Sequence, residues 1–296
     1  MANFLFWSDL HCDFAPFAIP IPGQDGAPKR GEIDAVLVAG DIDVKGAHIE
    51  WLERIWRIWE LPVLAVAGNH EPYGAKRFQK HHDQERSRIA ELKAAGVDVD
   101  VLRGATRVIG DTRVIGATLW TDMALNGYPA LDALSIKDVM NDYRRVRWFD
   151  ERNGIYRKMI PADTIGMHRA ELAYILSELE KPFDGRTMVM THHCPVMQVI
   201  NPARLAKGET VTAAYASDLW PRLGYFRIDA WISGHSHDAI EANLSGAEGE
   251  TAFLSNIRGY PHERTRFEPH RVLDSNAPLK GSTLDPDVSF QFEVDN

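Results

Sequence analysis

Four apolar residues, Phe4-Leu5-Phe6-Trp7, run directly into Ser8-Asp9-Leu10-His11, and this junction decides how the rest of the chain is read. The pattern recurs. Ala35-Val36-Leu37-Val38 leads into Gly40-Asp41, and Val63-Leu64-Ala65-Val66 into Gly68-Asn69-His70. Met188-Val189-Met190 leads into His192-His193, and Ala230-Trp231-Ile232 into Gly234-His235-Ser236-His237. Strands buried on both faces of an α/β sheet read as continuous apolar runs, and open sheets place their sites in the loops at the carboxyl ends of strands. Five such ends, each carrying Asp, Asn or His, would make a nest for two cations if the fold brings them together.

The spacing within the junctions supports that reading. Asp9 and His11 are one residue apart, as are His235 and His237. In extended backbone, positions i and i+2 point to the same side, so each pair could face one ion. Gly40, Gly68 and Gly234 each stand just before a candidate ligand. A residue without Cβ at a strand end permits an unusual turn and a close approach to an ion.

The chain has 296 residues, within range of one large α/β unit, and its 45% hydrophobic and 25% charged content is ordinary for a globular protein. No apolar run approaches the roughly 18 residues that span a bilayer. The amino terminus lacks a basic segment followed by a cleavable apolar one, so a secretory signal is not expected. Two cysteines, Cys12 and Cys194, are too few for a disulfide scaffold and fit a reducing cytoplasm; as free thiols they read as small packing residues. A net charge of −9 argues against binding extended nucleic acid or an acidic membrane.

The organisation is that of a single domain over 1–296. Ile49, Leu52, Ile55, Trp56 and Trp59 fall at helical spacing between Ala47 and Glu60, and Pro62 stops that helix. A second, polar helix runs from Lys76 to Ala95 with a thin apolar side of Phe78, Ile89 and Leu92, closed by Gly96. In its charge-rich first half, His81 and His82 read as a solvated face. Thr106-Arg107-Val108-Ile109 and Thr112-Arg113-Val114-Ile115 flank Gly110-Asp111, which signals a hairpin. Residues 121–162 then lose strand character and read as an inserted helical cap. A further helix is expected from an Asp163 cap to Lys181. Strands are expected at 251–256 and 289–294, with a largely irregular excursion over 259–287.

The ordered set Ser8-Asp9-Leu10-His11, Gly40-Asp41, Gly68-Asn69-His70-Glu71, Thr191-His192-His193 and Gly234-His235-Ser236-His237 resembles the five-motif signature of the calcineurin-like metallophosphoesterases. The resemblance spans residues 8 to 237. It implies an α/β fold in which a two-sheet β-sandwich is flanked by helices, with a dinuclear metal site at one end. It implies that Asp9, His11 and His237 hold one ion, that Asn69, His192 and His235 hold the other, and that Asp41 bridges them. His193 is then the non-ligand of its pair, and His70 sits near the scissile phosphate rather than on a metal.

That donor set has oxygen and nitrogen ligands without thiolate, which suits Mn, Fe, Zn or Co. Two such cations can clamp a phosphoryl group and lower the pKa of a shared water, whose hydroxide could attack phosphorus in line. His70 could protonate the departing alkoxide. The expectation is therefore a metal-dependent hydrolase of a phosphomonoester or small phosphodiester. The alternatives are a nuclease or cyclic-nucleotide phosphodiesterase on the same site, or a non-catalytic scaffold of the same fold. Asn69 and a bridging Asp41 argue against an oxygenase or an amidohydrolase. Glu71 reads as a cap of the following helix or the partner of a cation. Arg258 and Tyr260, just after a strand, are candidates for contacting substrate, Arg258 for its bidentate phosphate geometry. His48, His168, His262 and His270 lack a ligand-spaced neighbour and read as packing or surface residues.

Overall fold

A computed structural model describes residues 2–202, 205, 210–274 and 282–284. Two sheets face each other. The first has strand order β13-β1-β2-β3-β4, from β1 (Asn3–Trp7), β2 (Ala35–Val38), β3 (Val63–Ala65), β4 (Val99–Val101) and β13 (Val272–Asp274). Only the β13–β1 pairing in it is antiparallel. The second has order β14-β11-β12-β10-β9-β6-β5. Its strands are β5 (Ala105–Ile109), β6 (Thr112–Ala117), β9 (Arg186–Thr191), β10 (Ala230–Ile232), β11 (Glu241–Gly246), β12 (Gly249–Leu254) and β14 (Ser282–Leu284). Its centre, β6-β9-β10-β12, is parallel.

Alternation along each strand explains why these runs had to be apolar throughout. Phe4 and Phe6 point between the sheets, where they meet Leu37, Leu64, Met188, Met190, Ile232 and Leu254. Leu5 and Trp7 point the other way, toward Leu52, Ile55 and Trp59 of α1 (His48–Trp59) and Ile89 and Leu92 of α2 (Phe78–Ala94). On the far side, Val189, Trp231 and Phe253 pack against Leu172, Ile175 and Leu179 of α5 (Pro161–Leu179). Each fully buried side chain of this size contributes about 1.5–3 kcal/mol relative to exposure. The layers are therefore helix, sheet, sheet, helix, with the central strands β1, β2, β3, β9 and β10 covered on both faces.

The β5–β6 hairpin forms about Gly110-Asp111, with Ile109 opposite Thr112 and Gly110 at φ +56°. Helix α5 begins three residues earlier than expected, with Ile160 at its cap. Asp163 lies in its first turn, where its carboxylate accepts the Ile160 N–H at 2.9 Å. The inserted stretch is only half helical. It holds α3 (Pro129–Val139) and α4 (Asp142–Arg145), then a hairpin of β7 (Arg147–Asp150) and β8 (Ile155–Lys158). The hairpin turns where Asp150 accepts the N–H groups of Arg152 and Asn153 and Gly154 takes φ +67°. Its charged strands hid their period. The 259–287 excursion supplies two edge strands, β13 and β14, too short to read from sequence. The strand expected at 289–294 lies outside the described residues.

His81 and His82 do not form a solvated face. His81 is buried beside His48, whose Nε2 lies 2.8 Å from the Glu85 carboxylate. Arg103, just after β4, grips the same carboxylate at 2.6 and 3.0 Å. Burial drives the His82 imidazole down to about 2, and Arg103 adds to it, so this ring stays neutral. Of the charges that looked solvent-facing, Glu85 is buried and paired with Arg103 from outside the helix, whereas Asp83 and Arg86 do stay exposed. Among the described residues no helix is long and apolar enough to cross a membrane.

Candidate metal centre

The loops after β1, β2, β3, β9 and β10 meet at one end of the sandwich. Asp9, His11 and His237 bring ligand atoms within 4.8 Å of one another, and so do Asp41, His192 and His235. The Asp41 carboxylate lies between the trios. Its Oδ1 is 3.4 Å from His192 Nε2, and its Oδ2 is 4.0 Å from His11 Nε2. His237 Nε2 is 3.3 Å from Asp9 Oδ1. Asn69 Oδ1 is 3.1 Å from His192 Nε2, which places it on the second trio. Each trio draws on both sheets, through β1 with β10 and through β2 with β9 and β10.

The backbone reaches this arrangement at a cost. Asp9, His11, Asp41, His235 and His237 have φ of 51°, 44°, 53°, 66° and 55°. The extended geometry expected from the one-residue spacing is not what aims the pairs; left-handed residues do it. Such conformations in non-glycine residues are unfavourable and concentrate at functional sites. Two carboxylates hold the loops in place. Glu71 accepts the N–H of Ile42 at 2.8 Å and of Gly68 at 2.7 Å, so it ties two ligand loops together rather than capping a helix or pairing with a cation. Asp9 accepts the His235 N–H on both oxygens at 3.1 Å. Outer partners orient the rings. His192 Nδ1 meets Ala39 O at 2.8 Å, and His237 Nδ1 meets Glu263 Oε2 at 2.6 Å. A carboxylate or carbonyl behind a histidine fixes its tautomer and raises its basicity as a ligand.

Charge within the cluster is unevenly shared. Burial alone would depress His192, but the Asp41 charge and hydrogen bond outweigh it and push the ring up to about 10. Burial likewise opposes His237, and Asp9 and Glu263 carry it to about 9. His11 falls to about 4, mainly through burial, and His235 falls well below the usual imidazole range for the same reason. Asp41 is held well below the carboxylate range by His192 and His70 despite complete burial. Protons thus sit where cations would compensate the same carboxylates. His235 Nε2 is buried without a hydrogen-bond partner, and His11 Nε2 faces His237 Nε2 at 3.2 Å beside the two carboxylates. Imidazole nitrogens so placed beside carboxylates and a carboxamide fit divalent metal ions.

His193 packs behind the second trio and is not among the converging ligand atoms. Its ring lies between Trp120 and His235, at 5.1 and 4.2 Å, and burial takes it down to about 3. His70 is at the rim, its N–H on Asp41 Oδ1 at 2.9 Å and its Nε2 3.9 Å from Asp41 Oδ2. Tyr260 stacks on His11 at 4.3 Å, and its hydroxyl is 3.4 Å from His70 Nε2. Asp41, Asn69, His70, Tyr260 and Glu263 line one cleft of about 400 Å³, together with Val139 and Met140 from the insertion. Arg258 does not reach this cleft. Its guanidinium donates to the carbonyls of Leu10, Ala15 and Pro16 at 2.5, 2.8 and 3.0 Å and lies over Phe17. Two contributors had no sequence signal of their own. Glu263 lies in the irregular excursion, and Asp142 lies in the insertion, its carboxylate 2.8 Å from Asn69 Nδ2.

The family model described as calcineurin-like phosphoesterase matches residues 2–239. An uncharacterized protein of Acanthamoeba polyphaga mimivirus is 24% identical over 219 residues, covering 72% of this chain and 73% of its own. Among solved structures, the phosphopantetheinyl hydrolase of Mycobacterium tuberculosis superposes with a TM-score of 0.62 at 17% identity, covering 91% of this chain and 93% of that one. A dimetal phosphatase from Danio rerio gives a TM-score of 0.40 at 14% identity over 90% of each chain.

Proposed function

The chain belongs to the calcineurin-like phosphoesterase family, and from that premise we propose that it hydrolyses a small phosphomonoester or phosphodiester at a dinuclear centre. In this reading Asp9, His11 and His237 hold one ion, Asn69, His192 and His235 hold the other, and Asp41 is shared. The observation that carries it is the convergence of the two trios on opposite oxygens of one carboxylate. Bound cations of the Mn, Fe, Zn or Co kind would clamp the phosphoryl group and lower the pKa of a shared water.

The chain's own residues supply the rest. His70, at the mouth of the cleft, is in position to hand a proton to the departing alkoxide. Its ring also falls within 4.8 Å of ligand atoms of His11 and Asp41, which keeps it beside the centre. Tyr260 covers His11 and brings its hydroxyl toward His70, where it could steady a phosphoryl oxygen. Arg258 is not assigned to substrate, because three backbone carbonyls occupy its guanidinium. A 400 Å³ cleft on a chain of net charge −9 favours a small substrate over a polyanion.

The test is a panel of phosphoesters screened against Mn, Fe, Zn and Co, with an aryl monoester and the matching bis-aryl diester compared directly. Turnover that requires metal, with close to two ions bound per chain, is expected. No turnover with any ester, and less than one ion bound after Mn loading, would favour the non-catalytic scaffold.

A further inference from the structure

The insertion reaches into the metal centre through one buried carboxylate. Asp142, the first residue of α4, is buried, and its Oδ1 receives two hydrogen bonds. One comes from Asn69 Nδ2 at 2.8 Å and the other from the Tyr73 hydroxyl at 2.6 Å. Tyr73 O in turn accepts from Asn69 Nδ2 at 3.1 Å. The three groups close a triangle in which both amide hydrogens have acceptors. Arg145, one turn on, lies over the Tyr73 ring at 5.6 Å and holds the same corner.

The triangle answers a question that the Asn69 side chain cannot answer alone. A carboxamide has two ends of nearly equal size, and only the oxygen end can ligate a cation. A carboxylate accepts hydrogen bonds and repels a carbonyl, so it admits only the amino end. With Nδ2 drawn to Asp142, Oδ1 must face His192, where it is found. We infer that Asp142 is a positioning residue, which fixes the orientation of the Asn69 amide and so sets the affinity of the second metal position. The inference rests on Asn69 being a ligand. It makes the insertion part of the metal centre as well as a wall of the cleft.

The experiment is calorimetric titration of the metal-free protein with Mn²⁺, run on wild type, Asn69→Ala, Asp142→Asn, Asp142→Leu and the Asn69→Ala/Asp142→Leu double variant. Thermal unfolding without metal checks that each is folded. Asp142→Leu should weaken one of two Mn²⁺ sites by roughly 10–100-fold, the range usual for outer-sphere partners, and leave the other unchanged. Asp142→Asn keeps the volume and can still present a carbonyl, so its loss should be intermediate. In the double variant, Asp142→Leu should add nothing to Asn69→Ala, because the two act as one unit. Full two-site affinity in folded Asp142→Leu and Asp142→Asn, or losses that simply add, would overturn the inference while leaving the ligand set standing. Unchanged binding in Asn69→Ala would remove Asn69 from the ligand set, and the inference with it.

Discussion

Gly40→Ala puts a tightly packed point of the centre under direct strain. Gly40 sits at φ +90°, between β2 and Asp41. A Cβ there would stand 2.5 Å from His192 Nδ1, 2.9 Å from His192 Cγ and 2.8 Å from the Gly68 nitrogen, where ordinary contacts begin at 3.4 Å. The ring must therefore retreat by about 1 Å, which breaks its 2.8 Å bond to Ala39 O. Metal–ligand distances tolerate about 0.2 Å. The left-handed backbone adds about 1–2 kcal/mol against alanine, and overpacking adds about 1–3 kcal/mol. The expected result is a melting temperature lower by several degrees, loss of one bound ion and loss of turnover. The assays are calorimetry, metal analysis and hydrolysis of an aryl phosphate. Gly166→Ala is the control. Nothing lies within 4 Å of a Cβ at this position in α5, so it should raise stability by up to about 1 kcal/mol and leave both ions in place. Gly40→Ala with two ions, wild-type rate and wild-type melting would refute the claim that this contact positions His192.

Asp41→Asn should abolish turnover while circular dichroism stays unchanged, since a ligand shared between two ions needs a full carboxylate; near-normal rates would contradict the scheme. His70→Ala should lose much more rate on alkyl phosphates than on activated aryl esters, and a uniform loss would reassign His70 to phosphate binding. Arg258→Met should lower thermal stability by stranding three carbonyls, with KM for phosphoesters changed no more than stability requires. For Glu171, burial outweighs the nearby Arg103 charge and raises the carboxyl to about 7. The folded state then holds a proton that the unfolded chain has released, from about pH 4.3 upward. That contribution to stability is present at low pH and is lost as pH rises toward 7. Chemical denaturation of Glu171→Gln across this window should show a flatter pH profile, and an unchanged slope would assign the effect elsewhere.

What could be read from the sequence follows from how locally each feature is written. Strands covered on both faces have no choice but to be apolar throughout, so Phe4–Trp7 and Val63–Val66 announced a sheet, and the residues at their ends announced its rim. Asp142 and Glu263 carry no such mark. Each is one acidic residue in a polar stretch, and its meaning comes from a neighbour 73 or 26 positions away. His81 and His82 misled for the same reason. Their surroundings in sequence are charged, but Glu85 is neutralised by Arg103 from another element, which lets that face of α2 go inside. Arg258 looked suited to phosphate by type, and only its carbonyl partners show that the cation is already in use.

The five left-handed residues of the centre, Asp9, His11, Asp41, His235 and His237, have a meaning for the history of such a fold. Each would sit more comfortably as glycine, and none could then serve the centre. Natural drift toward a sturdier polypeptide thus runs against the reaction at five separate places. A descendant freed from hydrolysis would be expected to shed those imidazoles early, while keeping the carboxylates that tie the loops, and to become harder to unfold, so that silence and toughness would travel together.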